Sequence, residues 1–153
     1  MSIQPAPKPR PCSNFKLRQL MRRVSQHYDA ELGKAGLKTT QYSLLTHVDR
    51  LGPLRPGELA HSMAIDASTM TRNLKPLVAA GLISVAPGSD GRSQSVAITE
   101  SGRSKRHDGQ RYWKAAQDGL DDLLGVDDVA AMHALIDRCL ARFSGVDKAT
   151  SHG

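Results

Sequence analysis

Aromatic side chains are scarce in this sequence, 4% of residues against a hydrophobic content of 39%, so a core must be drawn mainly from aliphatic residues. Cysteine is nearly absent. Cys12 and Cys139 stand far apart, which excludes a disulfide framework and offers no spacing for a structural zinc. No apolar run exceeds a few residues, so neither a membrane span nor the hydrophobic region of a secretion signal is read. A cytoplasmic protein with reduced thiols is expected. Glycine-rich dinucleotide and phosphate loops, the G-x-S-x-G nucleophile turn and H-E-x-x-H are all missing. His27, His47, His61, His107, His133 and His152 form no i, i+4 pair on one helix, and scattered Ser, His and Asp do not by themselves argue a triad. Catalysis, a bound metal and a cofactor are therefore not expected.

What is present is a lopsided charge. Residues 1–33 carry six Lys/Arg and two Asp/Glu, residues 34–106 carry ten and five, and residues 107–153 carry five and eight. A basic body with an acidic last third suggests one face built for a polyanion and another part with a different task. The ends lack folding power: residues 1–11 hold Pro5, Pro7, Pro9 and Pro11, and residues 144–153 are small and polar. Both are expected to be disordered or flexible, with the folded part running from about Cys12 to Phe143.

Between them the apolar spacing lays out the elements. Leu17, Leu20, Met21, Val24, Tyr28 and Leu32 recur in steps of three and four and predict a first helix, stopped by Gly33 and Gly36. Thr39 or Thr40 caps a second, striped by Tyr42, Leu45, Val48 and Leu51 and broken at Gly52-Pro53. Pro56 opens a short helix to Met63. After the break Ala64-Ile65-Asp66, Asp66 caps a helix from Ala67 to about Ala80, kinked at Pro76 and ended by Gly81. The period then changes to two. Leu82–Val85 and Ser95–Ile98 read as strands joined by a glycine- and serine-rich loop containing Asp90, Gly91 and Arg92. Thr99 caps a long helix striped by Trp113, Ala116, Leu120 and Leu123, and Asp127 or Asp128 caps a last one striped by Val129, Met132, Ile136, Cys139 or Leu140, and Phe143. Short helix, tight turn, helix and hairpin make a helix-turn-helix followed by a wing. The fold class is mainly α (α+β). Residues 37–99 form the winged helix-turn-helix, and residues 12–36 and 100–143 supply helices for dimerisation.

On a helical wheel of residues 66–81, Met70, Leu74, Leu77 and Val78 face the core, while Ser68, Thr71, Arg72 and Lys75 share the opposite side, with Thr69 and Asn73 flanking. Hydroxyls and cations without an acid suit the major groove of double-stranded DNA. In the hairpin loop Arg92 is the wing cation for a minor groove. Asp90 either ties down the loop base or pairs with Arg92, and Ser89, Ser93 and Gln94 reach phosphates. The competing reading is a winged helix that docks a protein, a role that favours exposed aromatics over the cations Arg72, Lys75 and Arg92.

These residues also carry a resemblance. The run 37–45 (LKTTQYSLL), Leu59-Ala60, the run 68–77 (STMTRNLKPL), Gly81-Leu82-Ile83, the wing Asp90-Gly91-Arg92 and the run 98–103 (ITESGR) resemble, in order and spacing over about residues 12–143, the MarR family of bacterial regulators. The resemblance implies a homodimeric repressor held by its end helices, reading a palindromic operator and released by a small phenolic or aromatic carboxylate ligand or by an oxidant. It implies a ligand site between the first, second and long helices, where the candidates are Arg18, Arg22, His27, Tyr42 and His47. Peroxide-sensing relatives read like C-x-C-F-x-L-R at the start of the first helix. Here residues 12–18 read CSNFKLR, so Asn14 replaces the second cysteine and Cys12 is left as the redox candidate.

Overall fold

The computed structural model describes residues 9–150, with side chains to residue 146. The order is α1 (Ser13–Leu32), a 3-10 turn (Gly33–Ala35), α2 (Thr39–Leu51), α3 (Pro56–Ser62), α4 (Ala67–Ala79), β1 (Ile83–Pro87), β2 (Gln94–Ile98), α5 (Glu100–Leu124) and α6 (Val126–Thr150). No helix among the described residues is long and apolar enough to cross a membrane. The disorder expected over residues 1–11 falls, for residues 1–8, outside the described residues. Of the tail expected over residues 144–153, residues 144–150 instead continue α6, and residues 151–153 lie outside the described residues. Small polar residues there do not stop a helix that contains no proline and has five turns behind it.

The core is aliphatic. Leu32, Leu37, Tyr42, Leu44, Leu45, Val48, Leu59, Ala60, Met70, Leu74, Leu77, Ile83 and Val96 form one buried cluster within the winged domain. A smaller one, Tyr28, Ala116 and Leu120, joins α1 to α5. The expected stripes are trimmed at their ends. Leu51 and Val78 are exposed, while Leu44, adjacent to the predicted stripe of α2, is buried. Trp113 and Leu123 are also exposed, the latter by 71%. On α6 only Val129 is buried among the described side chains, and Ile136, Leu140 and Phe143 face outward.

The ends of the elements are set by local hydrogen bonds. Thr39 is not the cap of α2. Lys38 occupies that position, its amide donating to Gln41 Oε1, while the Thr39 amide donates to Asp29 Oδ1 and ties α2 to α1. The turn between α3 and α4 closes with Ile65 N–H to Ala60 O and Ala64 N–H to His61 O, Ala64 being left-handed at φ 52°. Gly81, at φ 72°, ends the α4 turn in the same pattern, with Leu82 N–H to Leu77 O. Helix α4 runs through Pro76 for three further residues.

The wing is longer than the spacing predicts. Its ladder runs antiparallel from Ile83 opposite Ile98 to Pro87 opposite Gln94, leaving only residues 88–93 as loop. Leu54, before α3, bridges Val96 through two backbone bonds of 3.1 and 2.8 Å, which docks the hairpin on the domain. Thr99 caps α5 as predicted, accepting from Gly102 N–H. Gly102 lies so close to Leu82, the residue before β1, that an added Cβ would collide with its carbonyl oxygen.

Candidate nucleic-acid interface

Helix α4 begins at a dense N-cap. Asp66 Oδ1 accepts from Thr69 N–H at 2.7 Å and from Ser68 Oγ at 2.6 Å, and Oδ2 accepts from Thr69 Oγ1 at 2.8 Å. These bonds, led by the Ser68 hydroxyl, hold the Asp66 carboxyl far below the usual carboxylate range. The buried side of α4 is Met70, Leu74 and Leu77. Opposite it, Ser68, Thr71, Arg72 and Lys75 are exposed, with Thr69 and Asn73 half-buried at the margins. The sequence therefore places all six correctly relative to the core. Thr71 Oγ1 donates back to Ala67 O at 3.0 Å, and Arg72 Nη2 lies 3.4 Å from Thr69 Oγ1. Neither Arg72 nor Lys75 has a carboxylate within ion-pairing distance among the described residues.

In the wing, Asp90 organises the loop. Its Oδ1 accepts from Ser93 N–H at 2.9 Å, Ser93 Oγ at 2.8 Å and Arg92 N–H at 3.0 Å. The Ser93 amide and hydroxyl, then the Arg92 amide, lower its carboxyl to about 2. Its salt-bridge partner is Arg55, just before α3, at 3.4 Å, and not Arg92. The Arg92 guanidinium is thus exposed and unpaired among the described residues. Ser93, engaged by Asp90, shapes the loop, which corrects the expectation that its hydroxyl is free for a phosphate. Arg55 is a residue the sequence reading missed. Nothing local ties it to a loop 35 positions away.

The residues singled out for a ligand do not form one site. Arg18 and Arg22 are exposed on α1, and His27 is held on α5 through Nε2 and Ala116 O at 2.7 Å. Tyr42 and His47 do come together, in a cavity of about 390 Å³ between α2 and α5 lined also by Thr39, Ser43, Thr46, Arg106, Gln110 and Trp113. The Tyr42 and Trp113 rings lie nearly parallel, 20° apart with centroids at 6.4 Å. Thr39 Oγ1 and Arg106 Nε are buried with no hydrogen-bond partner among the described residues. Arg106 Nη1 meets Asp49 at 3.4 Å, a carboxylate that also pairs with Arg103 at 3.2 Å. Arg106, Gln110 and Trp113 recur at i, i+4 and i+7, the one sequence signal that places them on a common face. Cys12 and Cys139 are exposed free thiols, and no cluster of three or more His, Cys, Asp or Glu among the described residues is placed to hold a metal.

Residues 35–93 match the model of the MarR family. Over 90 residues the chain is 34% identical to the uncharacterized HTH-type transcriptional regulator YxaD of Bacillus subtilis, a match covering 58% of this chain and 63% of that relative, which is less than two thirds of its length. Among solved structures, the M. tuberculosis transcriptional regulator MOSR in complex with DNA is 28% identical at TM-score 0.69, covering 84% of this chain and 98% of that one. A probable transcriptional regulator from Pseudomonas aeruginosa is 25% identical at TM-score 0.76, covering 83% and 96%.

Proposed function

We propose that the chain is a member of the MarR family, whose model matches residues 35–93, and that it is a DNA-binding transcriptional regulator, a homodimeric repressor of a palindromic operator. The observation that carries this reading is the outer face of α4, where Arg72 and Lys75 stand exposed, with no ion-pair partner among the described residues, beside Ser68 and Thr71. Helix α4 enters the major groove, where an arginine pairs with guanine O6 and N7. Arg92 extends from the wing into the adjacent minor groove. That MOSR has been solved bound to DNA supports the same use of the fold here.

A second copy covers the apolar positions left bare on the end helices, among them Leu20, Met21, Leu123, Ile136, Leu140 and Phe143. A two-fold dimer places its α4 helices about 34 Å apart and reads a palindrome. The ligand that releases DNA occupies the cavity between α2 and α5. An aromatic ring packs beside Tyr42 and Trp113, and its carboxylate takes the protons of Arg106 Nε and Thr39 Oγ1. Trp113 is the only tryptophan of the chain, so its fluorescence reports binding directly. Benzoate-class acids quench it, the matching amides do not, and Arg106→Gln abolishes the difference.

The deciding experiment is fluorescence anisotropy on DNA upstream of the chain's own gene and on pooled genomic fragments, across a salt series. Binding weakens steeply with salt as counterions are displaced from phosphates, and Arg72→Ala weakens it by about 1–3 kcal/mol on the preferred sequence. No binding to either DNA at low salt overturns the reading in favour of a protein-docking winged helix.

A further inference from the structure

The hydroxyls on the outer face of α4 are not free to choose their polarity. Asp66 is ionised and has no proton to give, so Ser68 and Thr69 must spend their own protons on it, at 2.6 and 2.8 Å. Thr71 likewise spends its proton on Ala67 O, which can only accept. Thr69 is half-buried, and its oxygen already faces Arg72 at 3.4 Å. Toward a partner, Ser68 therefore presents an oxygen that accepts and does not donate, with Thr71 one turn along in the same condition. Ser68 is the more firmly set, because its bond is short and made to a charge.

DNA offers few groups that satisfy such an oxygen. Phosphates are acceptors only. In the major groove the donors are the exocyclic amines, N6 of adenine and N4 of cytosine, while guanine and thymine present acceptors at the equivalent positions. Resting on the DNA-binding reading above, we infer that Ser68, oriented by Asp66, is a specificity-determining residue that selects a base bearing an exocyclic amine, adenine or cytosine, at one position of each half-site. Arg72 and Lys75, which only donate, take the neighbouring guanine and phosphates. The face thus combines the accepting hydroxyls of Ser68 and Thr71 with the donating cations Arg72 and Lys75. Asp66 contributes by aiming a proton away from the DNA and is a positioning residue.

The test is selection of bound sequences from randomised duplexes, followed by replacement of the selected base with purine or pyrimidin-2-one deoxynucleotide, which lack only the amine. The wild type selects adenine or cytosine at one position per half-site, and loss of that amine weakens binding about tenfold, the worth of one good hydrogen bond. Ser68→Ala is indifferent to the replacement. Asp66→Gly keeps a competent cap, because glycine replaces aspartate at a helix N-cap at little cost, but it removes the acceptor at Oδ1 and releases the Ser68 hydroxyl proton. The preference at that position then moves toward guanine or thymine. Binding in which amine removal changes affinity less than twofold at every position overturns the inference and leaves the regulator reading standing, as does an unchanged preference in Asp66→Gly. Absence of any duplex binding at low salt overturns both.

Discussion

Gly102 is the position where one added methyl group tests the docking of the wing on α5. It lies in the first turn of α5, where its amide donates to the Thr99 cap at 3.0 Å. A Cβ there would collide with Leu82 O and stand 2.7 Å from the Ile98 side chain. The Leu82 oxygen is backbone and already accepts from Thr99 N–H at 3.1 Å, so it cannot withdraw without giving up that bond. Gly102→Ala gains about 1 kcal/mol of helix propensity. Against this stand overpacking, typically about 1–3 kcal/mol, and the weakened hydrogen bond, about 1 kcal/mol. The overlap with backbone belongs at the upper end, so the variant is destabilised by roughly 1–3 kcal/mol, read as a lower urea midpoint at unchanged slope. DNA affinity falls as well, although residue 102 touches no DNA in the proposed complex, because β1 and β2 carry Arg92. A variant as stable as the parent, or stabilised by the full helix propensity, would refute the close approach and with it the rigid coupling of α5 to the wing.

Three further expectations follow from the same contacts. Arg92→Ala leaves folding stability within about 0.5 kcal/mol, since its guanidinium is exposed and unpaired among the described residues, yet weakens DNA binding and lowers the salt slope by about 1, measured by anisotropy. Asp90, lowered to about 2 by Ser93 and Arg92, contributes stability that is present above its unfolded value near 4 and is lost as pH falls through about 2. Urea midpoints should drop from pH 4 to pH 2, and less so in Asp90→Asn. Leu140→Glu, on a residue 58% exposed in the single chain, should convert the proposed dimer to a monomer in sedimentation while leaving the winged domain folded. A dimer that persists unchanged would place the interface elsewhere.

Much of the winged domain was legible because its signals are local. Asp66 before a run with apolar period 3.6, Gly81 after it, and the change to period two at Ile83 each act within a few residues, and the structure follows them closely. The errors fall at element ends, where the deciding partner is distant. Thr39 loses its predicted cap role because its amide is engaged by Asp29 on α1, and the strands lengthen because pairing persists to Pro87 and Gln94. The ligand candidates are dispersed by packing. Arg18 and Arg22 look like anion ligands in the sequence, but only packing decides which arginine has a buried donor left over, and among the described residues that is Arg106.

The sequence by itself determined which face of α4 is polar, because helical periodicity alone sorts Arg72 and Lys75 from Met70 and Leu74. Tertiary structure decided what the polar atoms can do. It pairs Asp90 with Arg55, leaves Arg92 without an ion pair among the described residues, and brings Tyr42 against Trp113 across 71 positions of chain. It also leaves the apolar stripe of α6 bare. The physical reason is range: propensity and capping act over one or two turns, whereas ion pairs, cavities and unmatched apolar faces depend on which distant segments the folded core brings within a few ångströms.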